Sequence, residues 1–141
     1  WLMFETYKIL LTSALSEDYW SDVGIDIASA HVSQFYHADW RALEAVFLLK
    51  PETWRGRCAE TLSDTRDARA LRVLLKLLEA KEESVVIHAI ESLDALFFAG
   101  YIHDARPIVV ALGEGFEPST RTIKLMAATL VRKCGHPNRA G

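Results

Sequence analysis

The residues of this chain that could do chemistry are few, and their spacing does not suit it. Five histidines invite a metal reading. The nearest two, His31 and His37, stand six residues apart, which puts them on different faces of a helix, unlike the i, i+4 pairing of helical zinc motifs. His103 and Asp104 have the composition of an acid–base pair, but they precede a helical stretch in which Asp104 is explained as a cap. Cys58 recurs with Trp54 and Leu62 at intervals of four, the position of a small inert core thiol and not of a nucleophile. Cys58 and Cys134 have neither disulfide-framework nor zinc spacing. Gly113-Glu114-Gly115 matches no phosphate loop or dinucleotide fingerprint and reads as a turn. These residues predict a protein that binds without catalysing, with no catalytic residue, no metal and no cofactor.

Charge segregation is more informative. The first fifty residues hold seven acidic side chains against Lys8, Arg41 and Lys50. Between Lys8 and Arg41 there are five acids and no Lys or Arg, interleaved with aromatics. Glu17, Asp18, Tyr19, Trp20, Asp22, Asp26, Tyr36 and Asp39 are therefore the candidate partner-binding residues. Carboxylates steer a basic partner and aromatics anchor it. The competing reading is a solvated acidic loop over a partly buried aromatic cluster. A second, opposite feature is the stripe of Arg69, Arg72 and Lys76, to which a sequence repeat adds Arg106. It predicts an alternative groove for an acidic protein or a phosphate backbone, unless neighbouring carboxylates such as Asp67 or Glu79 neutralise it.

The elements that must position these residues are helical throughout, because apolar residues recur at helical spacing and no strand-like alternation is convincing. The pattern predicts about eight helices. The first spans Trp1 to Leu15, with Phe4, Tyr7, Ile9, Leu11 and Leu15 available to pack. A less defined one lies between Asp22 and Tyr36, with Val23, Ile27, Ala30 and Phe35 inward. The next runs from Ala38 to Lys50 on Trp40, Leu43 and Phe47. Another follows Pro51, with Trp54, Cys58 and Leu62 inward. From Asp67 to Glu79, Leu71, Leu74, Leu75 and Leu78 make the inward stripe. Ser84 to Gly100 presents Val86, Ala89, Ile90, Leu93 and Phe97, with Ser84 as cap and Gly100 as stop. Asp104 to Gly113 carries Ile108 and Leu112 and tolerates Pro107 in its first turn. Ile123, Met126, Ala127 and Leu130 form the last stripe, ending near Gly135.

The 141 residues and 15.9 kDa fit one domain, 1–135, with a loose tail over 136–141. Half the residues are hydrophobic, enough for a core, while the longest apolar runs fall far short of the ~20 residues of a membrane span. The net charge of −3 argues against a protein whose main task is coating nucleic acid or anionic lipid. Two isolated cysteines predict reduced thiols and a cytoplasmic location. The sequence opens on Trp1 and not on Met, leaving room for an upstream segment.

Repeats organise the chain. Arg57-Cys58-Ala59-Glu60-Thr61-Leu62 is echoed by His88-Ala89-Ile90-Glu91-Ser92-Leu93, 31 residues later. Asp67-Ala68-Arg69 recurs as Asp104-Ala105-Arg106 at an offset of 37, and Ala89 to Leu93 recurs at Met126 to Leu130 at the same offset. Periods of this length with paired helices predict an all-α superhelix of stacked antiparallel helix pairs. The stretch from Trp54 to Leu96 resembles tandem HEAT repeats: Arg and Ala before Leu in one helix, an Asp-rich turn, a leucine-rich second helix, then Val and Ala opening the next unit. The resemblance extends from Pro51 to Cys134 and implies a right-handed stack. The small size, the acidic helical N-terminal part with its Asp39-Trp40 pair and the following Trp54-Arg55 are similar to small HEAT-like immunity proteins that bacteria make against polymorphic or contact-dependent toxins. That resemblance implies an immunity protein that binds and neutralises a cognate toxin, a basic nuclease by the charge of the acidic segment. No signature of the group is tight enough to transfer functional positions. The alternative is a HEAT-like scaffold, or a module binding nucleic acid or an acidic protein, acting through Arg69, Arg72, Lys76 and Arg106.

Overall fold

The computed structural model describes residues 2–12 and 14–135, and among these every regular element is helical. The expectations for Trp1 and for the 136–141 tail lie outside the described residues. Helix α1 (Met3–Thr12) is shorter than its apolar pattern, and Phe4, Tyr7 and Leu11 are its buried face. Ile9, expected to pack, is exposed. Helix α2 (Glu17–Tyr19) begins at Ser16, whose Oγ accepts from the Tyr19 amide at 3.1 Å. It runs through a π turn (Trp20–Gly24) into α3 (Ile25–Ser33).

Helix α4 (His37–Val46) ends in a 3-10 turn (Phe47–Leu49), and α5 (Glu52–Thr61) follows Pro51. Trp40, Leu43, Phe47, Trp54, Cys58 and Leu62 are buried as their spacing predicts. Helix α6 (Ala68–Leu77) starts at Asp67 as expected, but its interior face is rotated. Ala70, Val73, Leu74 and Leu77 face the core, while Leu71 and Leu75 are only partly buried. A four-leucine stripe is the most hydrophobic choice, yet Ala70 and Val73 let the neighbouring helices approach more closely than leucine would.

Helix α7 (Glu83–Phe98) has its N-cap at Glu82, two residues earlier than Ser84, whose hydroxyl instead donates to Glu52 Oε2 at 2.7 Å. Its C-terminus closes as a Schellman turn: the Tyr101 and Gly100 amides reach the Leu96 and Phe97 carbonyls, with Gly100 at φ 80°. Phe97, placed on the inward stripe, is only partly buried. Helix α8 (Arg106–Ala111) carries Pro107 in its first turn. Helix α9 (Arg121–Gly135) buries Ile123, Ala127, Leu130 and Cys134, with Met126 at the margin.

Helix α5 packs along α7 and α7 along α9, while α3 and α1 also lie against α5. Helices α6 and α8 touch each other and lean on α7 and α9 respectively. The sequence echoes have structural counterparts. Cys58, Ala59, Thr61 and Leu62 are buried on α5, and Ala89, Ile90, Ser92 and Leu93 occupy the same places on α7. Thr61 Oγ1 donates to the Cys58 carbonyl and Ser92 Oγ to the Ala59 carbonyl, so both hydroxyls of the repeat are satisfied inside the contact.

Candidate functional site: an acidic and apolar helix face

The segment from Glu17 to Ser33 is built on rows of residues four apart. Trp20, Gly24, Ala28 and Val32 form the buried row. An ideal α-helix advances about 40° beyond a full turn every four residues, so such a row would drift away from its contact surface. The wider π turn absorbs that drift: the Ile25 amide bonds to the Trp20 carbonyl, five residues back. The face predicted from α-helical spacing is therefore corrected. Val23 and Ile27 are 39% and 41% exposed and Ala30 is exposed, while Phe35 beyond the helix is partly buried.

Tight packing holds the π turn. A Cβ on Gly24 would stand 2.8 Å from Trp20 Cε3, so the indole lies directly on the glycine backbone. Trp20 Nε1 donates to Glu60 Oε1 at 3.2 Å, and the Arg57 guanidinium stacks 5.0 Å from the Trp20 ring. Arg57 also donates to the Leu15 carbonyl at 2.8 Å, tying the chain before α2 to α5. Three elements thus fix which side of α2–α3 faces outward.

Opposite the buried row stands Asp18, Asp22, Asp26 and Ala30, all exposed. Beside it runs the row Tyr19, Val23 and Ile27, exposed by 46%, 39% and 41%. Among the described residues none of Glu17, Asp18, Asp22 and Asp26 forms an ion pair. A row of unpaired carboxylates alongside a row of apolar side chains is an arrangement that can attract a cationic surface and then exclude water from it.

Two residues expected at a binding patch are instead structural. Trp20 is 3% exposed and belongs to the interior, for the reasons just given. Asp39 is 2% exposed: its Oδ1 accepts from the Phe4 amide at 2.8 Å and its Oδ2 from the Tyr36 amide at 2.9 Å. It joins the start of α1 to the start of α4, where the amides at both helix ends favour a negative charge. Of the aromatics in the acidic segment, Phe35 and Trp40 belong to an interior cluster with Tyr7. The Phe35 ring centroid lies 5.3 Å from each of those two rings, edge to face. Tyr36 is 81% exposed but sits at the turn before α4, outside the two rows. Val23 and Ile27 are the site residues that sequence reasoning placed inside. The signal that would have found them is the four-residue spacing of Trp20, Gly24, Ala28 and Val32.

Three of the four basic side chains of the stripe meet carboxylates. Asp67 Oδ1 accepts from the Arg69 amide and Nε, and Oδ2 from Nη2, at 2.9 to 3.0 Å. Asp104 holds Arg106 through the same three bonds. The repeated Asp-Ala-Arg is a helix-start device, and the arginines keep both carboxyls below their ordinary carboxylate range. Arg69 also meets His37 Nδ1 at 2.8 Å and lies 5.6 Å from the Trp40 ring, while Arg72 pairs with Glu44 at 2.7 Å. An open groove of about 450 Å³ does run between α4, α6 and α8, lined by Glu44, Leu48, Arg72, Leu75, Lys76 and Ala111 among others. Arg72 and Lys76 line it, whereas Arg69 and Arg106 do not.

The candidate reactive groups are scattered. Cys58 is buried against Tyr7, and loss of solvent pushes its thiol up to about 12. His31 Nδ1 meets the Ile27 carbonyl at 2.7 Å, and His37 faces Arg69. His88 meets Glu91 at 3.2 Å and Glu60 at 3.8 Å. Among the described residues no three His, Cys, Asp or Glu side chains are placed to hold a metal ion. No described helix is long and apolar enough to cross a membrane. No protein-family model matches the chain, and no curated protein or solved structure matches it.

Proposed function

We propose that this chain is a non-catalytic binding protein that captures a basic protein surface on its α2–α3 face. In its specific form it is an immunity protein that neutralises a cognate bacterial toxin, a basic nuclease, by stoichiometric binding in the cytoplasm. One observation carries the reading: the exposed, unpaired row of Asp18, Asp22 and Asp26 runs beside the exposed row of Tyr19, Val23 and Ile27. The carboxylates accelerate encounter over several ångströms, and the apolar row supplies contact area once water leaves. The body behind this face is read as stacked antiparallel helix pairs of the HEAT kind. That architecture is supported by the matching burial of α5 and α7 and by the identical Asp-Ala-Arg bonds that open α6 and α8. The alternative reading, a polyanion-binding scaffold acting through Arg69, Arg72, Lys76 and Arg106, is weaker. Three of those four cations already face carboxylates.

Co-expression with the product of the adjacent upstream gene tests the proposal. The chain should rescue growth from a toxic product and bind it in a one-to-one complex. Reversing Asp18, Asp22 and Asp26 together to Lys should slow association at least tenfold at low salt and flatten its salt dependence. Full protection and unchanged affinity in that triple variant would remove the acidic face from the mechanism.

A further inference from the structure

Helix α9 is the acidic face's opposite in charge. It contains Arg121, Lys124, Arg132 and Lys133 and no acidic residue. Lys133 is engaged with Asp94 at 3.0 Å, whereas Arg121, Lys124 and Arg132 are exposed and form no ion pair with a described residue. Arg121, Leu125, Ala128 and Arg132 follow one another at i, i+4, i+7 and i+11, so they share one outward helix face, with Lys124 beside it. Leu125, in the middle, is 56% exposed. Helix α9 packs on α7 and α8, while α3 packs on α1 and α5, so α5 and α7 stand between the basic face and the acidic one.

From this we infer that α9 is a docking surface for the α2–α3 face of a second copy of the chain. The inference rests on the reading of that face as an interaction surface. The match is one of charge and of spacing. Three unpaired cations flank an exposed leucine over roughly 16 Å of helix, and three unpaired carboxylates flank an exposed apolar row over roughly 12 Å. The carboxylates recur every four residues, and the cations stand at both ends of the Leu125 face, Arg121 and Lys124 at one end and Arg132 more than two turns away at the other, so the two helices can lie alongside each other with the cations opposite the ends of the carboxylate row and Leu125 against Val23 and Ile27. Because the contact joins unlike surfaces, a pair of copies retains one free face of each kind. The association is head to tail and extends beyond a dimer. A basic partner that claims the α2–α3 face competes with α9 and shortens the assembly.

Sedimentation velocity over a range of protein concentrations tests this. At low salt the wild-type chain should form species larger than a monomer as concentration rises. At about 1 M salt, where the screening length falls to about 3 Å, it should run as a monomer. D18K/D22K/D26K and R121E/K124E/R132E should each associate at least tenfold more weakly. Mixing the two should restore association, because each then supplies the face its partner lacks. All six positions are exposed, so far-ultraviolet dichroism should show the helical content of the wild type. If a reversal variant does not fold, the neutral forms D18N/D22N/D26N and R121Q/K124Q/R132Q take its place and should each be monomeric. A wild-type chain that stays monomeric at every concentration and salt overturns the inference. So do reversal variants that fail to complement one another, or an α9 that binds a polyphosphate probe while showing no self-association. The R121E/K124E/R132E variant keeps the α2–α3 face intact, so it separates the two ideas. Monomeric wild type together with full toxin neutralisation by this variant would remove self-docking and leave the proposed function standing.

Discussion

Replacing Gly24 by alanine sets two effects of similar size against each other. Gly24 has φ −58°, an ordinary right-handed value, so the backbone does not require glycine, and helix propensity alone favours alanine by about 1 kcal/mol. The added Cβ would lie 2.8 Å from Trp20 Cε3 and 3.4 Å from Leu15 Cδ1. Aliphatic and aromatic carbons settle at ~3.5 Å or more, so the indole has to retreat by several tenths of an ångström. It has little room to do so, being held by Glu60 at 3.2 Å and by Arg57 stacked on its face. Overpacking of this kind typically costs ~1–3 kcal/mol, which exceeds the propensity gain. The expected result is a net loss of about 1 kcal/mol in urea unfolding followed by far-ultraviolet dichroism. A double-mutant cycle sharpens the test, because Trp20→Leu removes the clash. In that background Gly24→Ala should turn from destabilising to stabilising by up to about 1 kcal/mol, a coupling well above the few tenths expected of independent sites. Stabilisation by the full propensity term in the wild-type background, or no coupling in the cycle, would refute the account of the π turn given above.

Asp39→Ala removes two bonds to helix-start amides, the one from Phe4 buried and the one from Tyr36 partly so, and a loss of about 3 kcal/mol is expected from thermal or urea melts, with anything under about 1 kcal/mol counting against the structural role. Cys58 stays protonated in the folded chain to about pH 12, whereas an unfolded thiol ionises near pH 8.5. Above pH 8.5 the native state therefore binds more protons than the unfolded state, and stability should fall as pH rises, by at most about 1.4 kcal/mol per pH unit. Cys58→Ala should remove that part of the slope, and an identical pH profile between pH 9 and 10 would show that burial does not hold the proton. Consistent with this, Cys58 should resist thiol reagents at pH 8 until the protein unfolds.

Features that depend on composition and short-range chemistry are legible along the chain. Helical class, most helix boundaries, the interior role of Trp54, Cys58 and Leu62, the Gly100 stop and the Asp67 cap all follow from spacing and capping, which act within a turn or two of chain. The acidic character of the Glu17–Trp40 segment was legible for the same reason. Which side of a helix faces inward, and which charges already have partners, depends on contacts between distant segments. The π turn at Trp20–Gly24 forms because Arg57 and Glu60, some forty residues away, grip the indole, and it moves Val23 and Ile27 out to the surface. Asp39 became structural because the Phe4 amide, 35 residues upstream, arrives beside it. Glu44 pairs with Arg72 across 28 residues. In each case the deciding partner is distant in sequence, and a carboxylate or an indole has the same spacing pattern whether it meets water, a second molecule or the protein's own backbone.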